Sequence, residues 1–207
     1  MITLYGSAQS RSFKALWALE EAGIPYEYKQ VNIGKTDENG TQTEQYKRLN
    51  IQGKVPTLVD DDFVLTESAA ILNYIANTSE NKTLIPHDNN ILQAQYDQIC
   101  YFVLSELEQP LWTFVKHMFV LPKELRIKRT EIKKITAWEF AKQLETLSHL
   151  LNNRQFAVNN HFTMADIMIS FTLRWAKSIK FEIPEDLMRY SDRMYQRPAC
   201  QRALKKA

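Results

Sequence analysis

The sequence predicts an α+β domain with a mixed four-stranded sheet, followed by an all-helical domain. Three observations predict it. All five glycines fall within the first 53 residues, where tight turns and helix C-caps use them. Apolar positions in residues 1–80 alternate between strand and helix spacing in the order βαβ-α-ββα. Beyond residue 90 only helical spacing remains, with prolines at segment starts.

The elements follow in order. Ile2–Tyr5 is a short apolar strand. Ser12–Ala22 carries Phe13, Leu16, Trp17 and Leu19 at helical spacing and stops at Gly23. Pro25 opens a second strand, Tyr26–Val31. Residues 32–50 are polar and loop-like, with a short helix expected near Thr43–Leu49. Thr57–Val59 and Phe63–Leu65 form a hairpin around Asp60-Asp61-Asp62. Ser68–Ala76 is a helix, with Thr66 placed to cap it and Glu67 in its first turn. A βαβ unit requires a right-handed crossover and parallel strands, and the hairpin adds an antiparallel edge. The first domain is therefore 1–80.

Residues 81–90 read as a polar linker, and 91–207 as the helical domain. Asp88 or Asn89 can cap a long helix from Ile91 to Phe119 that contains Pro110. Pro122 suits the first turn of a second helix, ending near Leu151. Thr163-Met164-Ala165-Asp166 is a capping box opening a third. Pro184 and Pro198 begin two short terminal helices.

The bulk properties narrow the function. Net charge is +2, so no nucleic-acid partner is expected. The charge is uneven: residues 1–80 hold 7 Lys/Arg against 11 Asp/Glu, the remainder 19 against 13. Cys100 and Cys200 form no C-x-x-C pair, which suits a reducing compartment and buried thiols. Met1 leads directly into a strand, and no apolar run reaches the roughly 18 residues of a spanning helix. A cytoplasmic protein without membrane or metal is expected.

Three segments then become specific: "LYGSAQSRSFKALWALEEAGIPYEY" (4–28), "NIQGKVPTLVDDDFVLTESAAILNYIA" (50–76) and "FTMADIMIS" (162–170). In register, with a helical half behind them, they resemble the glutathione S-transferase family. The resemblance spans essentially the whole chain and is of the bacterial or theta/delta-like serine kind. It implies a thioredoxin-like first domain, an activity that joins the glutathione thiol to small hydrophobic electrophiles, and a homodimer. Glutathione would be the cosubstrate.

The residues carry that chemistry in their own right. A helix N-terminus presents free N–H groups and partial positive charge, a seat for a carboxylate. Ser68 adds a hydroxyl donor, and Glu67 an anionic acceptor for an ammonium group. The γ-glutamyl end of glutathione has both charges on one carbon. The resemblance implies a cis Val55–Pro56 bond, with the Val55 backbone pairing the cysteinyl unit as an added strand. Lys54, or Gln52, would meet the glycyl carboxylate.

The thiol must ionise to react, and a free thiol is only a few per cent ionised at neutral pH. A hydroxyl aimed at sulfur favours the anion. Ser10, in the strand-to-helix turn, matches the serine of the theta- and delta-like classes. Tyr5, at the strand end, matches the tyrosine of the alpha, mu and pi classes, with Arg11 in register with their arginine. Ser7, Ser12 or a backbone amide stay open. No cysteine occurs in residues 1–99, which disfavours a disulfide mechanism. The resemblance also allows a binding or scaffold protein, or a glutathione-dependent peroxidase or isomerase, on the same site.

Overall fold

The computed structural model describes residues 1–8 and 10–207. It divides into two compact units. Met1–Ile85 and Tyr195–Ala207 form the first, Pro86–Met194 the second. The last helix thus groups with the sheet, whereas the sequence reading counted it with the helical half.

The first unit holds β1 (Ile2–Gly6), α1 (Ser12–Ala22), β2 (Tyr26–Gln30), α2 (Glu44–Leu49), β3 (Thr57–Asp60), β4 (Phe63–Thr66) and α3 (Ser68–Thr78). The sheet order is β2-β1-β3-β4. β1 is parallel to β2 and antiparallel to β3, and β3 is antiparallel to β4. This is the mixed four-stranded sheet expected of a thioredoxin-like domain. Along β1, Ile2, Leu4 and Gly6 are buried while Thr3 and Tyr5 are half-buried, because alternate residues point to opposite faces. Leu4, Leu58, Leu16, Leu19, Ile71 and Ile75, all at 0% exposure, form the core. α1 and α3 pack against each other across it. α1 ends at Gly23, whose left-handed φ of 66° closes the helix without a Cβ penalty.

α1 also carries two acids in its last turn, where the helix dipole disfavours them. Their partners come from the far end of the chain. The last helix of the chain, α9 (Pro198–Lys206), packs on α1. Arg197, just before it, makes a two-pronged contact with Glu21 at 2.6 and 2.8 Å. Trp17 donates its indole N–H to the same carboxylate. Glu20, only 8% exposed, accepts from Arg202 at 2.7 Å, Lys206 at 2.6 Å and Tyr26 at 2.7 Å. Tyr195 stacks on Phe13 at 6.0 Å between ring centres.

In the second unit, α4 (Asn90–Phe102) and α5 (Glu108–Val115) are segments of one run, joined and extended by π-helical turns at Val103–Leu107 and Lys116–Val120. Asn89 is the cap, accepting from the Ile91 and Leu92 N–H groups. Pro110 does not end the helix. The wider turn before it shifts the hydrogen-bond register where proline has no N–H to give. Pro122 precedes a single 3-10 turn, and α6 starts later than expected, at Arg129, running to Leu151. α7 (Met164–Ser178) and α8 (Glu185–Tyr195) follow.

The start of α7 is fixed by a buried carboxylate. Asp166, at 0% exposure, accepts from the Thr163 and Ala157 N–H groups at 2.8 Å and from the Tyr190 hydroxyl. Burial pushes its pKa up against these bonds. Phe114, Phe140 and Phe181 stack edge to face in the core of this unit. Cys100 and Cys200 are buried and are not joined in a disulfide. No described helix is long and apolar enough to cross a membrane.

The α1–α9 clamp has a pH signature. Burial raises the Glu20 pKa, but the bonds from Lys206, Tyr26 and Arg202 outweigh it and hold it at about 2, against an ordinary 4.5. A depressed pKa means stability that is fully present above pH 4.5 and drains away as pH falls toward 2. Glu20→Gln is expected to cost about 1–2 kcal/mol at neutral pH, since the remaining cations are half-exposed. The deficit should shrink as pH falls through that window. Thermal melts of both proteins from neutral pH down to the acid limit check it, and a pH-independent difference would overturn the assignment.

Candidate functional site

Strand direction assembles the site. β1 runs towards one end of the sheet, β3 starts there and β4 finishes there. The register places Lys29, Tyr5, Thr57 and Thr66 in one line across the four strands. One step beyond that line lie Gly6, Pro56 and Glu67. Ser7 and Ser10, the Lys54-Val55-Pro56 segment and the start of α3 are therefore all held at the same end.

The first turn is a network of serine hydroxyls. Ser10 Oγ donates to the Ser7 carbonyl at 2.6 Å and accepts from the Ser12 N–H at 3.1 Å. Its oxygen also lies 2.8 Å from Ser12 Oγ, which takes the Ser7 N–H at 3.2 Å. Ser12 is fully buried, whereas Ser10 and Ser7 are half-buried. Ser10 is thus the more accessible end of a fixed pair. Gly6 allows this turn to close: a Cβ there would sit 2.6 Å from the Ser12 Cβ.

Tyr5 has a different setting. Its neighbours along β1, Leu4 and Gly6, point to the opposite face. Its ring meets the edge of Tyr46 in α2 at 6.1 Å. The ammonium of Lys29, its register partner on β2, lies 5.6 Å from its ring centre.

The next segment is held from behind. Val55–Pro56 is a cis bond, as the resemblance implied. Pro56 is buried, Val55 half-buried and Lys54 exposed. The Lys54 carbonyl accepts from Tyr46 Oη at 2.8 Å and Asn50 Nδ2 at 3.0 Å. Both groups also reach Thr57 Oγ1, at 3.0 and 3.2 Å. Asn50 Oδ1 takes the Gln52 N–H at 3.1 Å. Burial pushes the Tyr46 phenol up, so it stays a neutral donor. Sequence reasoning missed Tyr46 and Asn50. The only signal was a tyrosine and an asparagine one turn apart in an otherwise polar stretch.

At α3 the sequence expectation needs correcting. Thr66 is not the cap, because its pairing with Thr57 keeps it in β4. Glu67 takes the N-cap position instead, and no side chain caps the helix. Its backbone has φ 66° and ψ 115°, a region that costs a non-glycine residue about 1–3 kcal/mol. Its side chain is exposed, with no ion-pair partner among the described residues. Ser68 is 5% exposed, and its hydroxyl has no hydrogen-bond partner among the described residues. The first amides of an α-helix have no partner within the helix. This end of the sheet thus offers helix amides, one hydroxyl and one carboxylate, a combination suited to a group bearing both a carboxylate and an ammonium. Among the described residues no cluster could hold a metal ion.

Of the aromatic residues on the α4–α5 run, Phe114 is core, at 3% exposure, while Tyr101 is 65% exposed.

Comparison with known proteins follows the same division. The pattern of the glutathione S-transferase N-terminal domain matches residues 1–77, and that of the C-terminal domain residues 108–198. Glutathione S-transferase 1 of Schizosaccharomyces pombe is 30% identical over 177 residues, covering 80% of this chain and 71% of that protein. Glutathione S-transferase GstA of Escherichia coli O157:H7 is 27% identical over 190 residues, covering 90% and 89%. The structure of a sphingomonad glutathione S-transferase complexed with glutathione superposes with a TM-score of 0.83 at 28% identity, covering 99% of this chain and 98% of that one.

The support and the strain give opposite expectations for stability. Asn50→Ala takes a donor from the half-buried Lys54 carbonyl and from the buried Thr57 hydroxyl and is expected to cost about 1–3 kcal/mol. Glu67→Gly removes a positive-φ penalty and should leave the melting temperature unchanged or higher. Chemical denaturation of the two variants decides. A clear loss in Glu67→Gly would mean that its side chain holds the fold.

Proposed function

Because this chain belongs to the glutathione S-transferase family, we propose that it joins the thiolate of glutathione to small hydrophobic electrophiles, with Ser10 stabilising the thiolate. It is an enzyme of that family, with glutathione as its cosubstrate. The observation that carries the reading is the uncapped start of α3, with Glu67 and Ser68, at the same end of the sheet as the Ser10 turn.

Each residue has a role in the proposal. The γ-glutamyl carboxylate takes the α3 amides and the Ser68 hydroxyl, and Glu67 accepts from the ammonium. The Val55 backbone, presented by Pro56 and held through Lys54, pairs with the cysteinyl unit. The Lys54 ammonium meets the glycyl carboxylate. Sulfur then lies at the first turn. Ser10 has one proton and gives it to the Ser7 carbonyl. Turning it to sulfur exchanges a neutral bond for a charge-assisted one, which is roughly twice as strong. The thiolate forms its S–C bond to the electrophile, whose leaving group or π-electron pair departs. Tyr5 is the second candidate for the donor. Its ring is already engaged with Tyr46 and Lys29, which supports Ser10 as the donor.

The finer features follow the family: a cytoplasmic homodimer, with Phe63 at 48% exposure and Ile91 at 71% among the apolar residues available to a partner.

Conjugation of a generic aromatic electrophile tests the assignment. Ser10→Ala should lower kcat about a hundredfold, and Tyr5→Phe should change it little. Glu67→Gln should raise KM for glutathione about tenfold with a smaller change in kcat. Full activity in Ser10→Ala would overturn the donor assignment. Failure of the unaltered protein to be retained on immobilised glutathione would overturn the site.

A further inference from the structure

The second unit has a cavity of its own, of about 420 Å³, between the end of α6 and α8. Its lining includes three arginines, Arg154, Arg189 and Arg193. Nothing in the conjugation chemistry uses it.

The three arginines are not equivalent. Arg189 is neutralised by Glu185, one turn away, at 2.8 Å. Arg154 and Arg193 have no carboxylate partner among the described residues. Both are instead oriented by backbone carbonyls. Arg154 donates to the Leu150 and Leu151 carbonyls at 2.6 and 3.2 Å, closing the end of α6. Arg193 donates to the Gln155 carbonyl at 2.8 Å and lies over the Tyr190 ring at 5.4 Å. Each guanidinium has five N–H donors in a fixed fork, so most remain unassigned after these bonds. Holding an arginine by neutral carbonyls fixes its direction without cancelling its charge.

The floor is apolar. Leu151, Leu187 and Tyr190 line the cavity and are only 2–4% exposed. One carboxylate, Asp186, also faces it. The balance is two uncompensated cations and one anion beside a hydrophobic floor. Two guanidinium forks suit a dianion better than a monocarboxylate, and the cavity is the size of an enclosed small-molecule site.

We infer that this cavity binds a small organic phosphate monoester, its phosphate on Arg154 and Arg193 and its apolar body on Leu151, Leu187 and Tyr190.

Phenyl phosphate is the probe, titrated into the full chain by calorimetry, with benzoate as the monoanionic comparator. Arg193→Gln, an exposed position, should weaken binding about tenfold, and Arg154→Gln at least as much. Asp186→Asn should tighten it several-fold by removing the one repulsive charge. Saturating glutathione should leave the affinity unchanged, since the thiol site lies in the other unit. The inference is overturned by no measurable heat with phenyl phosphate, by equal affinity for benzoate, by displacement with glutathione, or by Arg193→Gln and Asp186→Asn both leaving binding unchanged. Those two variants keep the test decisive even if Arg154→Gln disturbs the end of α6.

Discussion

Strand direction is the constraint on which the site depends. β1 and β3 run antiparallel with Tyr5 opposite Thr57, and β3 returns through β4 with Thr57 opposite Thr66. Period-two geometry makes this register unforgiving, since a shift of one residue would exchange the two faces. It would also carry Pro56 and Glu67 away from the end of β1. Leu4 and Leu58, both fully buried and facing each other across the strands, hold the register in place. The apolar core is thus the alignment device for a polar site whose ends, Ser10 and Ser68, lie 58 residues apart in sequence.

The start of α3 shows what that alignment is used for. A threonine cap would have satisfied the helix locally. Instead the strand retains Thr66, and Glu67 is left in a strained conformation with no capping bond. The local rule is broken where the proposed ligand chemistry would need open amides. Nearby, Tyr46 and Asn50 clamp the Lys54 carbonyl and the Thr57 hydroxyl, fixing the neighbouring segment assigned to the same ligand in the proposal. Capping and binding compete for the same unpaired N–H groups, and no side-chain cap takes them here, which is what the proposed site requires.

Much of this was legible in the sequence. The order of elements, the hairpin around Asp60-Asp61-Asp62 and the Thr163–Asp166 box follow from spacing and capping chemistry, which are local. The binding roles of the Glu67-Ser68 pair and the Pro56 segment came from the family resemblance, and their place at the same end of the sheet as the Ser10 turn comes from strand direction and register. What was not legible depends on distant partners. Thr66 reads as a cap until its pairing with Thr57 is known. Pro122 reads as a helix start because the 3-10 turn and the extended residues before Arg129 carry no distinctive pattern. Tyr46 and Asn50 become supports only when a loop eight residues on folds back over them.

The charge distribution was misleading for the same reason. Along the chain the front is acidic and the back basic. Folding redraws the boundary, because Arg197, Arg202, Lys205 and Lys206 belong with the sheet. Those four cations meet a segment, 1–85, that carries 8 Lys/Arg against 11 Asp/Glu, so the first unit comes to +1; the second, with 14 against 13, is also +1. The acids at the end of α1 explain the redistribution. Glu20 and Glu21 oppose the helix dipole, and so are poor choices for an isolated helix. They make sense only as seats for Arg197, Arg202 and Lys206 at the end of the chain. Two acids against a local preference were the sequence's own sign of a long-range partner. A glutathione-binding domain also gains from it, since an unbalanced acidic surface would repel an anionic cosubstrate.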